Sequence, residues 1–308
     1  MSASSPNTPP TLCLGEALVD LIGEEWVDAM SEIPSFRPHV GGTVANVAVA
    51  AARAGSPIAL VGGAGEDDWG RWLADRLATE GVDLSRFVLV PGVNTQLALV
   101  AVGRDGEPSY ELYGEPMESL VHALGDCIEE TVAGAGGLLI TSNTLSGERE
   151  RAVTLRAREL ALARGCPVVF DCNLRLHRWS SEADAATRAN TCVPGAVLVR
   201  ANQAEAELMT GESDPERAAR ALSEAGAQLV VITLGAAGAI LRGARRADVD
   251  AVPGVVRSTM GAGDTFTGVL LARLVLGGFD LSSVAVAAAM KEAAAAAARA
   301  CEHWGALD

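Results

Sequence analysis

Short apolar runs and longer amphipathic stretches take turns along this chain, and that alternation restricts the fold more than any other feature of the sequence. Strands are expected over 12–14, 58–61, 97–102, 138–141, 168–170, 197–199 and 229–233. Amphipathic helices are expected between many of them, over 68–80, 148–164, 215–225 and 264–276. Gly55, Gly81, Gly165, Gly226 and Gly277 stand where such helices should stop, because the residue just past a helix often needs a backbone that glycine adopts freely. Strand–helix alternation of this kind builds a mostly parallel sheet with helices on both faces. The expectation is therefore an α/β fold, and 308 residues suffice to bury a sizeable core.

Two stretches break the alternation. Around 16–40 and 93–113 no long helical pattern occurs, and Gly, Pro and alternating polar and apolar residues take over. They are candidates to pair into a small sheet outside the main one. The stretch 284–300 is apolar and alanine-rich, but it contains Lys291, Glu292 and Arg299, which marks a buried helix rather than a membrane span. Residues 1–10, MSASSPNTPP, have neither a basic nor an apolar region, so a flexible polar tail is expected and a secretory signal is not.

Charge narrows the function. Lys and Arg number 24 against 39 Asp and Glu, a net charge of -15. Such a balance disfavours nucleic acid and anionic membranes as partners, and any anionic ligand must be held by local positive features. The six cysteines form no CxxC pair, so free thiols in a reducing compartment are expected. His39, His122, His177 and His303 fall at no metal-binding spacing.

The most informative motif is Ser258-Thr-Met-Gly-Ala-Gly-Asp-Thr-Phe-Thr-Gly268, which runs into an apolar helix face. Gly261 and Gly263 permit a tight turn whose N–H groups open at a helix N-terminus, a ready site for an anion. Asp264 at its edge could take a proton from an attacking hydroxyl, or it could simply cap the helix. Gly41-Gly42-Thr43-Val-Ala-Asn46 leads into a helix; it could admit a ligand close to the backbone, or Asn46 could satisfy the first helical turn. Asp171-Cys-Asn173-Leu-Arg175 and Asn202-Gln-Ala-Glu205 each follow an apolar run, where open α/β sheets bind ligands, and each could equally be a helix cap with a surface ion pair. Gly62-Gly63-Ala-Gly65 lacks the GxGxxG spacing of a dinucleotide site, no GxxxxGK[ST] occurs, and no GxSxG elbow is present.

In chain order these motifs resemble the PfkB, or ribokinase-like, carbohydrate kinases, from about residue 12 onward. Gly15-Glu16-Ala-Leu-Val-Asp20 is similar to the family's opening strand and turn, and 41–46 to its first glycine-rich signature. The stretch 62–70 with Glu80-Gly-Val-Asp83 resembles its G-x-D-x-x-G helix and turn. Asp171–Arg175, Asn202–Glu205, Thr233-Leu-Gly235 with Gly238, and Gly261–Asp264 then follow in family order. The resemblance implies a three-layer α/β/α sandwich spanning 11–308, with a small β-sheet lid drawn from about 16–40 and 93–116. It implies ATP and Mg2+ near Asn202, Glu205, Thr233, Gly235 and Gly238, with Glu205 acting on the metal through water. Gly261, Ala262 and Gly263 would form the anion hole, and Asp264 would be the catalytic base. Asp20, Gly41, Gly42, Asn46 and Arg175 would bind the sugar. A cytoplasmic enzyme, dimeric through its lid, is also implied.

The pattern is closest to the fructokinases, so fructose or a similar hexose is the expected substrate. The 2-keto-3-deoxygluconate kinases share much of it, and their acid substrate would call on Arg104 or Arg175. An idle sugar sensor on the same fold would be favoured by a missing base or a broken glycine turn, and both are intact. One departure stands out: Ser258 replaces the Asp that helps many members coordinate an activating monovalent cation, so weak or absent potassium activation is expected.

Overall fold

The computed structural model describes residues 8–114, 121 and 124–307, and the apolar runs of the sequence become one nine-stranded sheet. Its strands are β1 (Thr11–Leu14), β4 (Ile58–Gly65), β5 (Phe87–Val90), β8 (Gly137–Thr141), β9 (Val168–Asp171), β10 (Leu198–Asn202), β11 (Leu229–Thr233), β12 (Ala239–Gly243) and β13 (Ala247–Val249). They lie in the order β13-β12-β11-β10-β9-β8-β1-β4-β5. Every pairing from β11 across to β5 is parallel, and only the β11–β12 and β12–β13 pairings at one edge are antiparallel. The strands numbered β2 (Leu18–Trp26), β3 (Arg37–Gly41), β6 (Leu97–Val102) and β7 (Pro108–Tyr113) form a second sheet in the order β3-β2-β6-β7.

Helices cover both faces of the large sheet because its side chains point alternately up and down. Cys13, Leu60, Leu139, Val169, Leu198 and Val231 pack into one apolar layer with α1 (Thr43–Arg53), α2 (Asp68–Thr79) and two late helices, α8 (Ala262–Leu276) and α9 (Ser283–Ala300). Their neighbours Leu14, Val61, Ile140, Phe170, Val199 and Ile232 pack into the other. That layer is closed by α3 (Ile128–Ala133), α4 (Glu148–Ala163), α5 (Glu182–Asn190), α6 (Gln203–Thr210) and α7 (Pro215–Glu224). Each fully buried Leu or Phe in these layers contributes roughly 1.5–3 kcal/mol. The architecture is the expected three-layer α/β/α sandwich with a small second sheet.

The second sheet draws β2 and β3 from one irregular stretch and β6 and β7 from the other, joined by the parallel pairing of β2 with β6. The run at 97–102 is thus a strand as expected, but it belongs to this sheet. Residues 1–7 of the expected tail and 115–116 of the expected lid lie outside the described residues. The helix at 284–300 is buried on one side, and no helix among the described residues is long and apolar enough to cross a membrane. All six cysteines are free thiols.

One contact decides how two helices meet at the carboxyl edge of the sheet. A Cβ on Gly268 of α8 would lie 2.6 Å from both Ala50 Cβ and Val47 O of α1, so α1 and α8 touch backbone to backbone. Gly268 stands one turn beyond Asp264 and Ala50 one turn beyond Asn46, so the crossing brings those two side chains face to face. Gly268→Ala is expected to lower stability by about 1–3 kcal/mol through overpacking, although alanine is the better helix former by about 1 kcal/mol. Thermal or denaturant unfolding of the variant checks this.

Candidate active site

Helix α8 begins at Ala262, after Gly261 in the left-handed conformation at φ 70°. A side chain on Gly261 would also meet Ala306 Cβ at 2.2 Å, so glycine is required there twice over. Asp264 is the third residue of the helix, yet it does not cap it: the cap position makes no side-chain hydrogen bond. Its carboxylate is instead buried in the interior, where Oδ2 accepts from Asn46 Nδ2 at 2.9 Å and Oδ1 from Asn173 Nδ2 at 3.2 Å. Asn46 comes from α1, and Asn173 follows β9 with its own backbone at φ 35°. Burial pushes the Asp264 carboxyl up to about 6, against the Asn46 hydrogen bond and the positive charge of Arg175.

A cleft of about 640 Å³ opens beside this carboxylate, between the large sheet's carboxyl edge and the second sheet. Of the residues expected to bind a ligand, Asp20, Gly42, Asn46, Arg175, Gly261 and Asp264 all line it. Gly41 stands directly behind: a Cβ there would lie 2.4 Å from the Asp20 carboxyl carbon, so the glycine leaves room for that side chain. Asp20 is buried, and burial together with the charge of Asp264 pushes its carboxyl up to about 7, while His39 and Arg175 pull it back. The Arg175 guanidinium lies over the Tyr110 ring, 5.6 Å from its centroid.

Several polar groups in this cleft end without a protein partner. Glu16 Oε1 accepts from Thr43 N at 3.1 Å and Asn143 Nδ2 at 2.8 Å, which orients both side chains. Glu16 Oε2, Asn143 Oδ1 and Asn46 Oδ1 are all buried with no hydrogen bond among the described residues. Each such orphan costs about 1–3 kcal/mol, and each is an acceptor, so the cleft is built for a ligand that brings several O–H donors. Asn143, Gln96 and Arg178 line it too and escaped the sequence reading. For Asn143 a signal existed, since it follows β8 as Asn173 follows β9.

The other expected residues sit further along the carboxyl edge, at β10 and β11. Asn202 and Glu205 form a reciprocal cap on α6: Asn202 Oδ1 accepts from Glu205 N at 2.8 Å and Glu205 Oε2 from Asn202 N at 2.7 Å. Glu205 Oε1 also accepts from Leu174 N at 2.9 Å, so it anchors the loop after β9. Thr233 pairs with Asn202 across the strands, and Gly235 and Gly238 turn the chain at φ 57° and 89°. These five line a different stretch of the edge from the cleft. Ser258 is buried, and its hydroxyl accepts from Met260 N at 3.1 Å. The 62–65 glycines lie inside β4, where Gly62 faces Gly15 O at 2.1 Å from a built Cβ; close strand packing explains them, not a nucleotide turn.

Fold and site together define an α/β protein with an acceptor-lined cleft at the carboxyl ends of its strands, beside a buried carboxylate and a helix N-terminus, the arrangement of a small-molecule enzyme. The pfkB family carbohydrate kinase pattern matches residues 11–307. The chain belongs to this family of carbohydrate kinases. It is 34% identical over 265 residues to fructokinase-1 of Oryza sativa subsp. japonica, covering 85% of this chain and 81% of that one. The fructokinase of Xylella fastidiosa with bound ATP superposes with a TM-score of 0.83 at 27% identity, over 97% of this chain and 94% of the other. The fructokinase of Vibrio cholerae O395 in its fructose, ADP and calcium ion bound form gives 0.81 at 26% identity, over 98% and 95%.

The buried carboxylates leave a mark on stability. Folded Asp20 keeps its proton up to about 7, whereas an unfolded aspartate loses it near about 4. The folded state therefore binds more protons between those values, and stability falls as pH rises across that window. Asp20→Asn is expected to raise Tm at pH 8 and to leave it nearly unchanged at pH 4, as scanning calorimetry at the two pH values would show.

Proposed function

We propose that this chain transfers the γ-phosphoryl group of Mg-ATP to a hydroxyl of fructose. The observation that carries the proposal is the buried Asp264 carboxylate at the α8 N-terminus, facing a cleft lined by unpaired buried acceptors. The likeness to fructokinases over most of the chain supports fructose as the sugar.

In this reading the sugar lies against Asp20, Gly41, Gly42 and Asn46, with its hydroxyls donating to the orphan oxygens. Asp264 takes the proton of the attacking hydroxyl. Its raised pKa suits that task, because a base titrating near neutrality accepts a proton readily and is still ionised at pH 7. Asn46 and Asn173 hold the carboxylate without neutralising it. The N–H groups of the Gly261–Gly263 turn, of which that of Ala262 also donates to Thr259 O at 3.3 Å, and the helix dipole receive the charge of the migrating group, where positioning and electrostatics do most of the work.

ATP would lie along Asn202, Thr233, Gly235 and Gly238. The donor set fits Mg2+ held mainly by phosphate oxygens: no cluster of three or more acidic, His or Cys side chains occurs among the described residues. Each Glu205 oxygen accepts one backbone N–H and keeps a lone pair for a metal-bound water. Glu205 would hold that water, and the metal would supply positive charge to offset that of the phosphates. The second sheet acts as a lid whose closure excludes water, and its face turned away from the cleft, with exposed Tyr113, pairs two subunits. The free cysteines fit a cytoplasmic setting.

A second reading rests on Arg175 and Arg178, which both line the cleft and could clamp the carboxylate of 2-keto-3-deoxygluconate. ADP release measured with Mg-ATP and a sugar panel decides between them: fructose is expected to give the highest kcat/KM, and preference for the keto acid would overturn that choice. Asp264→Asn is expected to lower kcat by about 10²–10⁴-fold. In the wild type, kcat/KM should fall as pH drops through about 6, where Asp264 takes up its proton. Exchanging sodium for potassium should change turnover little, because the neutral Ser258 hydroxyl is already engaged by Met260 N; a large rise in potassium would contradict this.

A further inference from the structure

Arg200 is a long cation in the middle of β10, and it is buried. Its terminal nitrogens carry its hydrogen bonds: Nη1 to Asp171 Oδ1 at 3.3 Å and Nη2 to Thr233 Oγ1 at 2.9 Å. The other Asp171 oxygen accepts from Thr267 Oγ1 at 2.5 Å. A polar chain thus crosses the carboxyl ends of β11, β10 and β9 and enters α8 one turn beyond Asp264. Asp171 and Thr267 are fully buried, so this chain is part of the interior and not a surface ion pair.

The guanidinium also lies directly against the α8 N-terminus. A Cβ built on Gly263 would fall 2.6 Å from Arg200 Nη2, 2.9 Å from Nη1 and 3.0 Å from Cζ. Gly263 has an ordinary negative φ, unlike Gly261, so its backbone asks for no glycine. It is glycine because the guanidinium fills the place of its side chain.

We propose that Arg200 is the positioning residue of the phosphoryl-transfer site. Its guanidinium, fixed by Asp171 and Thr233, is the floor on which the Gly261–Gly263 turn rests, and it puts a permanent positive charge beneath the amides that receive the migrating group. This role rests on the kinase reading above, and it deepens it. A lysine would keep the charge but lose the planar contact with Gly263 and the double tie to Asp171 and Thr233.

The charge also bears on the base. Asp264 is faced by Asp20 of β2, Tyr110 of β7, Asp171 of β9, and the cations Arg175 and Arg200. Loss of Arg200 alone leaves Asp171 unopposed, so the acid limb of kcat/KM should move to higher pH.

Six variants test the proposal: Arg200→Met, Arg200→Lys, the charge-neutral double variant Asp171→Asn/Arg200→Met in case the unpaired Asp171 prevents folding, Gly263→Ala, Arg200→Ala, and Gly263→Ala in the Arg200→Ala background. Arg200→Met is expected to lower kcat by about 100-fold with little change in sugar KM, as displacement of the turn would do. Arg200→Lys should restore the wild-type acid limb and only part of kcat. Gly263→Ala should lower both kcat and Tm in the wild-type background, and the Tm loss should vanish in Arg200→Ala, where the space is free. Wild-type kcat in a folded Arg200→Met or double variant, or an undiminished Tm loss in Arg200→Ala, would overturn the proposal. If the wild type phosphorylates no sugar, the kinase reading fails by itself, and the Tm comparison still decides whether Arg200 supports the turn.

Discussion

The burial of one carboxylate at a helix N-terminus organises everything else at the carboxyl edge of this sheet. Asp264 would cost several kcal/mol to bury ionised in an apolar setting. Here it is held by two amides, Asn46 and Asn173, each giving one N–H to a separate oxygen. Amides stabilise the negative charge without cancelling it, as a paired lysine or arginine would. That requires α1 and the loop after β9 to converge on the start of α8. The bare backbone contact at Gly268 and the left-handed Asn173 are the local features that permit it.

Two buried carboxylates share the cleft, Asp20 and Asp264, and the charge of Asp264 raises the proton affinity of Asp20. Arg175 lies within reach of both and offsets part of that repulsion. In a chain of net charge -15, an anionic phosphate finds no help from the overall field. The positive features are local ones instead: the helix N-terminus, Arg175 on the cleft side and Arg200 beneath the turn. In the proposed reaction the acceptor-rich floor of the cleft takes the hydroxyls and the donor-rich helix end takes the phosphate.

The glycines of this site look alike in sequence and serve different ends. Gly261 adopts a backbone that other residues avoid, Gly263 yields its side-chain space to a guanidinium, Gly41 yields it to Asp20, and Gly268 lets two helices touch. Asn202 and Glu205 show a related economy, since the cap on α6 also anchors the loop after β9.

Much of the architecture could be read from the chain alone. Strands buried on both faces announce themselves as apolar runs; the glycine-rich and turn motifs pointed to Asn46, Arg175 and Asp264 and the family resemblance to Asp20, and all four line one cleft. The strands β2, β3, β5, β7, β12 and β13 were not individually legible, because edge and lid strands are short or carry polar residues and are specified by their partners. The run 97–102 lies within the irregular stretch expected to build the second sheet, and it is there as β6. Arg200 and Asn143 were hidden for a further reason: their roles arise from contacts between residues far apart in the chain. Asn46 meets Asp264 across 218 positions, and Arg200 reaches Gly263 only because β10 and α8 pack together. Local chemistry is written in the sequence, but whether a buried arginine or an amide meets a particular carboxylate is settled by how closely the layers pack.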